Sequence, residues 1–357
     1  MIEFIIDRYF RFINLMNRLV RRLRIGYSRW DTHKERRKFV RRAGKKVVNR
    51  QVKKSMKAYA RERFGSAGYW PHLAHFAEIR GEFIKGWIPG DYFKYILEPK
   101  LNPKAYHNLG DVRTLDYKRF GDFAIRPLFQ IISGIYYGPD CRVLDRSELN
   151  EILAAHNDTI VIKQEFGWGG LQVKIMHSSE FNKKMIKKNH LHHHNYVIQP
   201  YIRQYKMLSD LYPHSVNTLR VTSFLKKDGT VDVKFVILRF GVDGSKVDNL
   251  SSGGHCIHID NDGRPSKLSY DYMCFPAGET HKNTGFRFAD LKLPMFPEVI
   301  ETCKRLHQQY PYNRLIGWDV CINEQGRPKL LEWNTHFPTF YLEDALFGPF
   351  FPDDSEF

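Results

Sequence analysis

Two carboxylates and an amide lie close together in GWDVCINEQGRPKLLEWN, residues 317–334. Each of its two apolar runs has strand-like composition and carries an acid, Asp319 in the first and Glu332 in the second. Asn334 follows two residues later. With the loop at Glu324–Arg327, Asp319 stands directly opposite Glu332. Cross-strand partners point to the same face, and Asn334 shares that face because strand side chains alternate with period two. The opposite face takes Trp318, Val320, Leu331 and Trp333, which reads as packing. Carboxylates this close raise each other's pKa unless a cation sits between them. Two arrangements meet that need. One is magnesium, which takes oxygen ligands, usually one or two carboxylates plus substrate phosphates. The other is a buried arginine on one acid, with the second acid exposed.

Groups upstream could handle phosphate. EFGWGGLQVKIM (165–176) places Gly167, Gly169 and Gly170 between two strand-like runs, with Lys163 just before them. A glycine-rich hairpin can turn successive N–H groups onto phosphate oxygens, and a neighbouring lysine supplies charge. The segment is neither a Walker A loop nor a GxGxxG fingerprint, and a plain glycine-rich hairpin is the competing reading. VNTLRVTSFL (216–225) and VDVKFVILRFGV (231–242) each hold one arginine, Arg220 and Arg239, in apolar surroundings. A buried arginine needs an anion, either a protein carboxylate or a bound phosphate. DNLSSGGH (248–255) adds polar groups and two glycines, as a loop over a ligand would. His190, His192, His193 and His194 are spaced poorly for one metal site and lack an acid or cysteine beside them, so they read as a surface turn.

The elements that would position these groups follow from pattern. RSELNEILAAH (146–156) reads as a helix capped by Ser147, and DTIVIKQ (158–164) as a β-branched strand. YVIQPYI reads as a strand leading into a connection. The stretches 216–225 and 231–242 read as strands paired around KKDGT. Residues 66–117 are short helical pieces punctuated by Pro and Gly.

The chain has 357 residues, enough for two or three packed units. Its net charge of +17 is concentrated at one end. Residues 1–65 carry 21 Lys/Arg against 5 Asp/Glu, whereas the rest carries 35 against 34. The first 26 residues are amphipathic at helical spacing, with Gly26 as the expected stop, and a basic segment runs from Lys34 to Arg63. Three readings compete for this arm: a helix packed on its own domain, a helix in the interface of an anionic membrane, and a nucleic-acid contact. No recognised nucleic-acid motif accompanies the charge, so nucleic acid is the least favoured partner. No uncharged apolar run is long enough to span a bilayer. Arg8, Arg11 and Arg18 interrupt any signal-peptide core. Five scattered cysteines without a CxxC suit a reduced, cytoplasmic chain.

Over roughly residues 115–345, the order of these elements resembles the ATP-grasp superfamily. The chain looks most like its sugar-transfer-associated members, which occur with surface-polysaccharide biosynthesis. YILEPKLNP, QPYI, NTLRVTS, LRFGVDGSKVDNLSSGG and the closing EWN carry the closer similarity. The resemblance implies an α+β, ATP-grasp fold: two α+β subdomains sandwiching ATP, here with an N-terminal basic helical arm. The expected division is an arm over 1–65, a reduced helical region over 66–117, a small subdomain over 118–205 and a large subdomain over 206–357.

The same resemblance implies ATP and magnesium as cofactors. Asp319, Glu332 and Asn334 match the metal ligands. Lys163 matches the strand lysine that reaches adenine and α-phosphate, and Gly167–Gly170 match the phosphate-covering loop. Lys118, 45 residues earlier, stands where a second nucleotide lysine is expected. The Gln199 carbonyl and Ile202 N–H should meet adenine. Arg220 and Arg239 resemble the arginines that hold the transferring phosphate or substrate carboxylate, with Asn249, Gly253 and Gly254 in the loop beside them. Many ligases of the superfamily place an arginine two residues before the first metal acid. Here that position is Gly317, and Arg239 would have to supply the charge. The implied activity is a carboxylate–amine ligase using small-molecule or lipid-linked carboxylate and amine substrates. The alternatives are a phosphotransferase acting on a hydroxyl, and a membrane-docked module that binds ATP without turnover. On the ligase reading, a basic arm would hold the enzyme at the inner face of the membrane.

Overall fold

The computed structural model describes residues 2–166, 173–181, 195–336, 338 and 341–351. The chain divides into two compact units, Met1–Pro103 with Phe340–Phe357, and Lys104–Thr339. The boundary thus falls at 103/104 rather than at 117/118. The C-terminal segment belongs with the N-terminal unit rather than closing the large subdomain.

In the first unit, helix α1 (Ile2–Ala43) runs unbroken through Gly26. The expected stop fails because no proline or left-handed turn follows Gly26, and an interior glycine costs only about 1 kcal/mol. The helix ends instead at Gly44, whose φ of 65° is left-handed. Its second half is buried at seven-residue intervals, through Ile25, Thr32 and Phe39, which puts one stripe against α3 (Trp70–Arg80). α2 (Arg50–Phe64) is capped by the Asn49 side chain and ends at left-handed Gly65. Buried carboxylates lock the unit. Glu78 accepts from Arg36 Nη2 at 2.6 Å and from the Val47 N–H at 2.6 Å, and Asp91 accepts from Arg29 Nε at 2.8 Å. The C-terminal helix Tyr341–Phe347 is tied in by Trp87, whose indole N–H donates to the Asp344 carbonyl.

The second unit holds two antiparallel sheets. The smaller runs in the order β2-β1-β5-β3-β4: β1 (Phe129–Ile132), β2 (Ile135–Tyr137), β3 (Thr159–Gln164), β4 (Val173–His177) and β5 (Tyr196–Pro200). Its core combines Phe129, Ile131, Ile160, Ile162 and Ile198 with Leu149 and Leu153 of the helix Arg146–His156. That helix is capped by Asp145, not Ser147. Asp145 accepts from the Glu148 N–H while Glu148 reaches back to the Asp145 N–H.

The larger sheet runs β10-β9-β8-β7-β6-β11-β12. Its longer strands are β6 (Thr218–Leu225), β7 (Val231–Phe240), β11 (Leu315–Ile322) and the edge strand β12 (Pro328–Asn334). β8 (His255–His258), β9 (Ser269–Tyr270) and β10 (Pro276–Gly278) extend it. The helix Phe296–Gln308 packs across it, burying Val299, Cys303 and Leu306. β11 lies between β6 and β12 and is buried along its whole length. Trp318 and Trp333 stack at 5.8 Å beneath it, with Phe120 edge-on to both.

Removing the Glu78 carboxylate would strand the Arg36 guanidinium and two backbone N–H groups. Glu78→Ala is therefore expected to destabilise the first unit by about 3 kcal/mol, measurable by denaturant unfolding. An unchanged midpoint would contradict this clamp.

Candidate active site

The β11–β12 hairpin delivers its acids to one face, though not by the expected route. Ile322 pairs with Pro328, so five residues form the connection, one more than Glu324–Arg327. The pairing then shifts between Asp319 and Val320: Val320 faces Leu330, Asp319 faces Glu332 and Gly317 faces Asn334. Leu331 is the extra residue of a β-bulge. The two offsets cancel, and Asp319 still stands opposite Glu332. The apolar face is correspondingly filled by Leu330, not Leu331, together with Trp318, Val320 and Trp333.

Asp319 is 2% exposed and sits at the centre of an arginine clamp. Arg220, its cross-strand partner on β6, binds it with both arms, Nε to Oδ1 at 2.5 Å and Nη2 to Oδ2 at 3.0 Å. Arg239, on β7, places Nη2 3.1 Å from Oδ2. Burial alone would raise the Asp319 pKa, but the Arg220 and Arg239 charges outweigh it and hold the carboxyl far below its ordinary range. Both arginines thus take a protein carboxylate. Arg239 also donates to the Thr218 hydroxyl at 2.8 Å and lies 3.4 Å from Asp248. Asn334 Nδ2 is 3.5 Å from Asp319 Oδ2 and donates to the Gly317 carbonyl at 3.3 Å.

Glu332 is held by a residue that sequence reasoning missed. Arg113 Nη2 donates to Glu332 Oε2 at 3.0 Å, while its Nη1 donates to the carbonyls of Gln164 and Glu165 at the end of β3. Lys163 donates to the Leu331 carbonyl at 3.3 Å, at the bulge. Burial, reinforced by Arg113, lowers the Lys163 pKa. Asp248 was the second omission, one residue before Asn249. The signal for Arg113 was a cation in a turn, RTLD, flanked by polar residues that the fold buries: Thr114 donates to Glu165, and Asp116 accepts from Trp333 Nε1 at 3.1 Å. Asp319, Glu332 and Asp248 are thus faced by Arg220, Arg239 and Arg113, with Lys163, Asp111 and Asp116 close by.

Other expected residues are placed differently. Lys118 is exposed on the short helix Asp116–Phe120, whereas Arg113, five residues earlier, reaches Glu332. Asn249 spends its side chain capping the turn Leu250–Ser252, Gly253 closes that turn with φ 96°, and Gly254 packs against the Asp248 carbonyl. Gln199, in β5 opposite Val161, donates Nε2 to the Ile125 carbonyl at 3.1 Å, and its Oε1 is buried without a hydrogen-bond partner. Ile202 follows β5 in irregular backbone. Gly167, Gly169, Gly170 and the four histidines lie outside the described residues.

Gly317 explains the missing arginine. A Cβ there would lie 2.2 Å from the Pro338 carbonyl oxygen and 3.3 Å from Arg220 Cδ. Arg220 covers the glycine and brings its own guanidinium to Asp319, so Arg220 and Arg239 together carry the charge that Arg239 alone was expected to supply.

Among the described residues, no three His, Cys, Asp or Glu side chains gather as a metal cluster. The set at hand is two carboxylates and an amide on one face. That set fits magnesium, which draws its remaining ligands from water and phosphate. The clamp keeps Asp319 ionised, and Glu332 and Asn334 both lie within its reach.

Two antiparallel sheets, with an arginine-balanced acid pair on the edge hairpin of the larger one, are the make-up of an ATP-grasp protein. The chain belongs to the sugar-transfer associated ATP-grasp family, whose model matches residues 97–344. No curated protein matches it. Among solved structures it is similar to D-alanyl-alanine synthetase A from Vibrio cholerae, at 11% identity and a TM-score of 0.40, covering 69% of this chain and 63% of that one. It is also similar to a D-cycloserine synthetase, at 13% identity and a TM-score of 0.38, covering 70% of each chain. A third is the biotin carboxylase domain of Hydrogenobacter thermophilus 2-oxoglutarate carboxylase, solved with MgADP, ADP and bicarbonate. There the identity is 14% and the TM-score 0.39, covering 72% of this chain and 50% of that one. The chain thus spans less than two thirds of the synthetase A and carboxylase chains.

Gly317→Ala is expected to destabilise the second unit by about 1–3 kcal/mol through overpacking, readable as a lowered unfolding midpoint. Equal stability would show that the Pro338 carbonyl yields. Burial raises the Asp116 pKa to about 7. Keeping this acid neutral favours the folded state at low pH, and that contribution is lost as pH rises through about 7. Asp116→Asn should flatten this dependence, narrowing the stability difference between mildly acidic and mildly alkaline buffer by at least ~1.4 kcal/mol. Parallel stability curves for both proteins would refute it.

Proposed function

We propose that the chain is an ATP- and magnesium-dependent carboxylate–amine ligase that releases ADP, acting on a sugar acid, amino sugar or amino acid in cell-surface polysaccharide biosynthesis. The observation carrying this reading is the row Asp319, Glu332 and Asn334 on one sheet face, with Lys163 seated at the adjoining bulge. Family membership supports ATP-grasp chemistry.

Asp319, Glu332 and Asn334 would hold magnesium, and Lys163 would face the nucleotide. Bound magnesium ATP supplies a phosphoryl group that activates a carboxylate as an acyl phosphate. The chain's own residues then position and compensate charge. Arg220 and Arg239, preorganised on Asp319 and Thr218, present fixed guanidinium dipoles toward an oxyanion formed when the amine attacks. Arg113 keeps Glu332 aimed while anchoring the end of β3. The Gln199 side chain, fixed through its amide N–H₂, leaves a buried oxygen to accept a hydrogen bond. The substrates are small-molecule or lipid-linked, and the site of action is cytoplasmic on this reading.

The test is ADP release by the full chain on panels of sugar acids and amino acids with amine acceptors, followed by mass spectrometry of the product. A new amide is expected. A phosphate ester would instead establish a phosphotransferase, and ATP binding without ADP release a non-catalytic module. Glu332→Ala, at a partly exposed position, should lower ADP release by about 100-fold or more. Undiminished release would sink the assignment of the metal face.

A further inference from the structure

Residues 8–24 of α1 stand outside the core of their unit, although the Arg21 charge reaches Tyr69 and the Arg24 charge Tyr95. From Ile6 to Arg24 every side chain with an assigned burial is exposed except Ile13, which is partly covered; the buried stripe begins only at Ile25. The exposed side chains are large and apolar: Phe12 is 61% exposed, Leu15 63% and Leu23 68%. At about 100° per residue, Tyr9, Phe12, Met16, Leu19, Leu23 and Trp30 fall within an arc of about 80°. Arg11, Arg18, Arg21 and Arg22 project from the opposite side, and Arg8 and Arg24 border the apolar arc. The stretch is roughly 30 Å long. No helix among the described residues is long and apolar enough to cross a membrane.

We infer that this stretch of α1 is a docking surface for an anionic lipid bilayer, lying parallel to it with the Phe12–Leu19–Leu23 face in the acyl boundary. Charge decides the occupant. Residues 8–30 contain six arginines up to Arg24, a seventh at Arg29, and no acid at all. A second copy of the helix would bring seven more arginines over the same stretch, with only Glu3, Asp7 and Asp31 next to it as counter-charge. A bilayer rich in anionic headgroups supplies that counter-charge at the depth where arginines border an apolar face. Nucleic acid would neutralise the arginines but leave the apolar arc in water. The basic run through Lys45, Lys46, Arg50, Lys53 and Lys54, in the same unit, adds to the positive field. The inference rests on α1 alone and stands whether or not the ligase reading does.

The experiment is flotation of the full chain with phosphatidylcholine vesicles, with and without phosphatidylglycerol. Binding is expected only with phosphatidylglycerol and should weaken in high salt. A blue shift of tryptophan emission on binding should be lost in Trp30→Phe. Leu19→Glu with Leu23→Glu, and separately Arg21→Glu with Arg22→Glu, should each weaken vesicle binding by at least about tenfold. Far-UV circular dichroism should stay unchanged, because all four side chains are exposed. Failure of the full chain to bind anionic vesicles overturns the inference, as does equal binding by the Leu19/Leu23 variant. Sedimentation velocity showing a dimer that this variant dissolves, without vesicle binding, would assign the face to a second copy.

Discussion

A buried negative charge organises the second unit. Asp319 lies midway along the fully buried strand β11, where an ionised carboxylate without partners would be prohibitively costly. The sheet offsets that cost with two guanidinium groups from adjacent strands, and those in turn require Asp248 and Thr218. Removing any one member leaves another charge uncompensated, so the cluster acts as a unit. It also dictates Gly317, because the Arg220 side chain reaches Asp319 across that residue's missing Cβ. The absent arginine and the glycine are one geometric solution.

Much of this was legible in the sequence because strand periodicity and acid spacing are local signals. The hairpin, the facing of Asp319 and Glu332, the strand ending at Gln164 and the arginine-bearing strands all follow from residues within a few positions of each other. Arg113 was not legible. It reaches Glu332 from 219 residues away, through a short turn with no periodicity to read. Lys118 had the better spacing to Lys163, yet its helix turns it to solvent. Asn249 and Gly253 looked like ligand groups because turn-forming and ligand-binding residues share the same types.

The N-terminal region shows the opposite error. Its amphipathic pattern was read correctly as helix, but glycine was given too much weight as a terminator. Gly26 sits in a helix whose later turns are clamped by Arg29–Asp91 and Arg36–Glu78, and such tertiary packing overrides a weak local preference. One helix therefore has two halves under different constraints, the later one fitted to α3 and the earlier one, over residues 8–24, largely exposed.

The bulge at Leu331 ties the hairpin's length to its function. Twelve residues separate Asp319 from Glu332, and one of them is spent in the bulge and one in the lengthened connection. Without Leu331 the ladder would run on regularly with Glu332 still opposite Asp319, but the kinked carbonyl that receives Lys163 would be gone. The extra residue is thus tied to the seat of Lys163 rather than to the facing of the two acids.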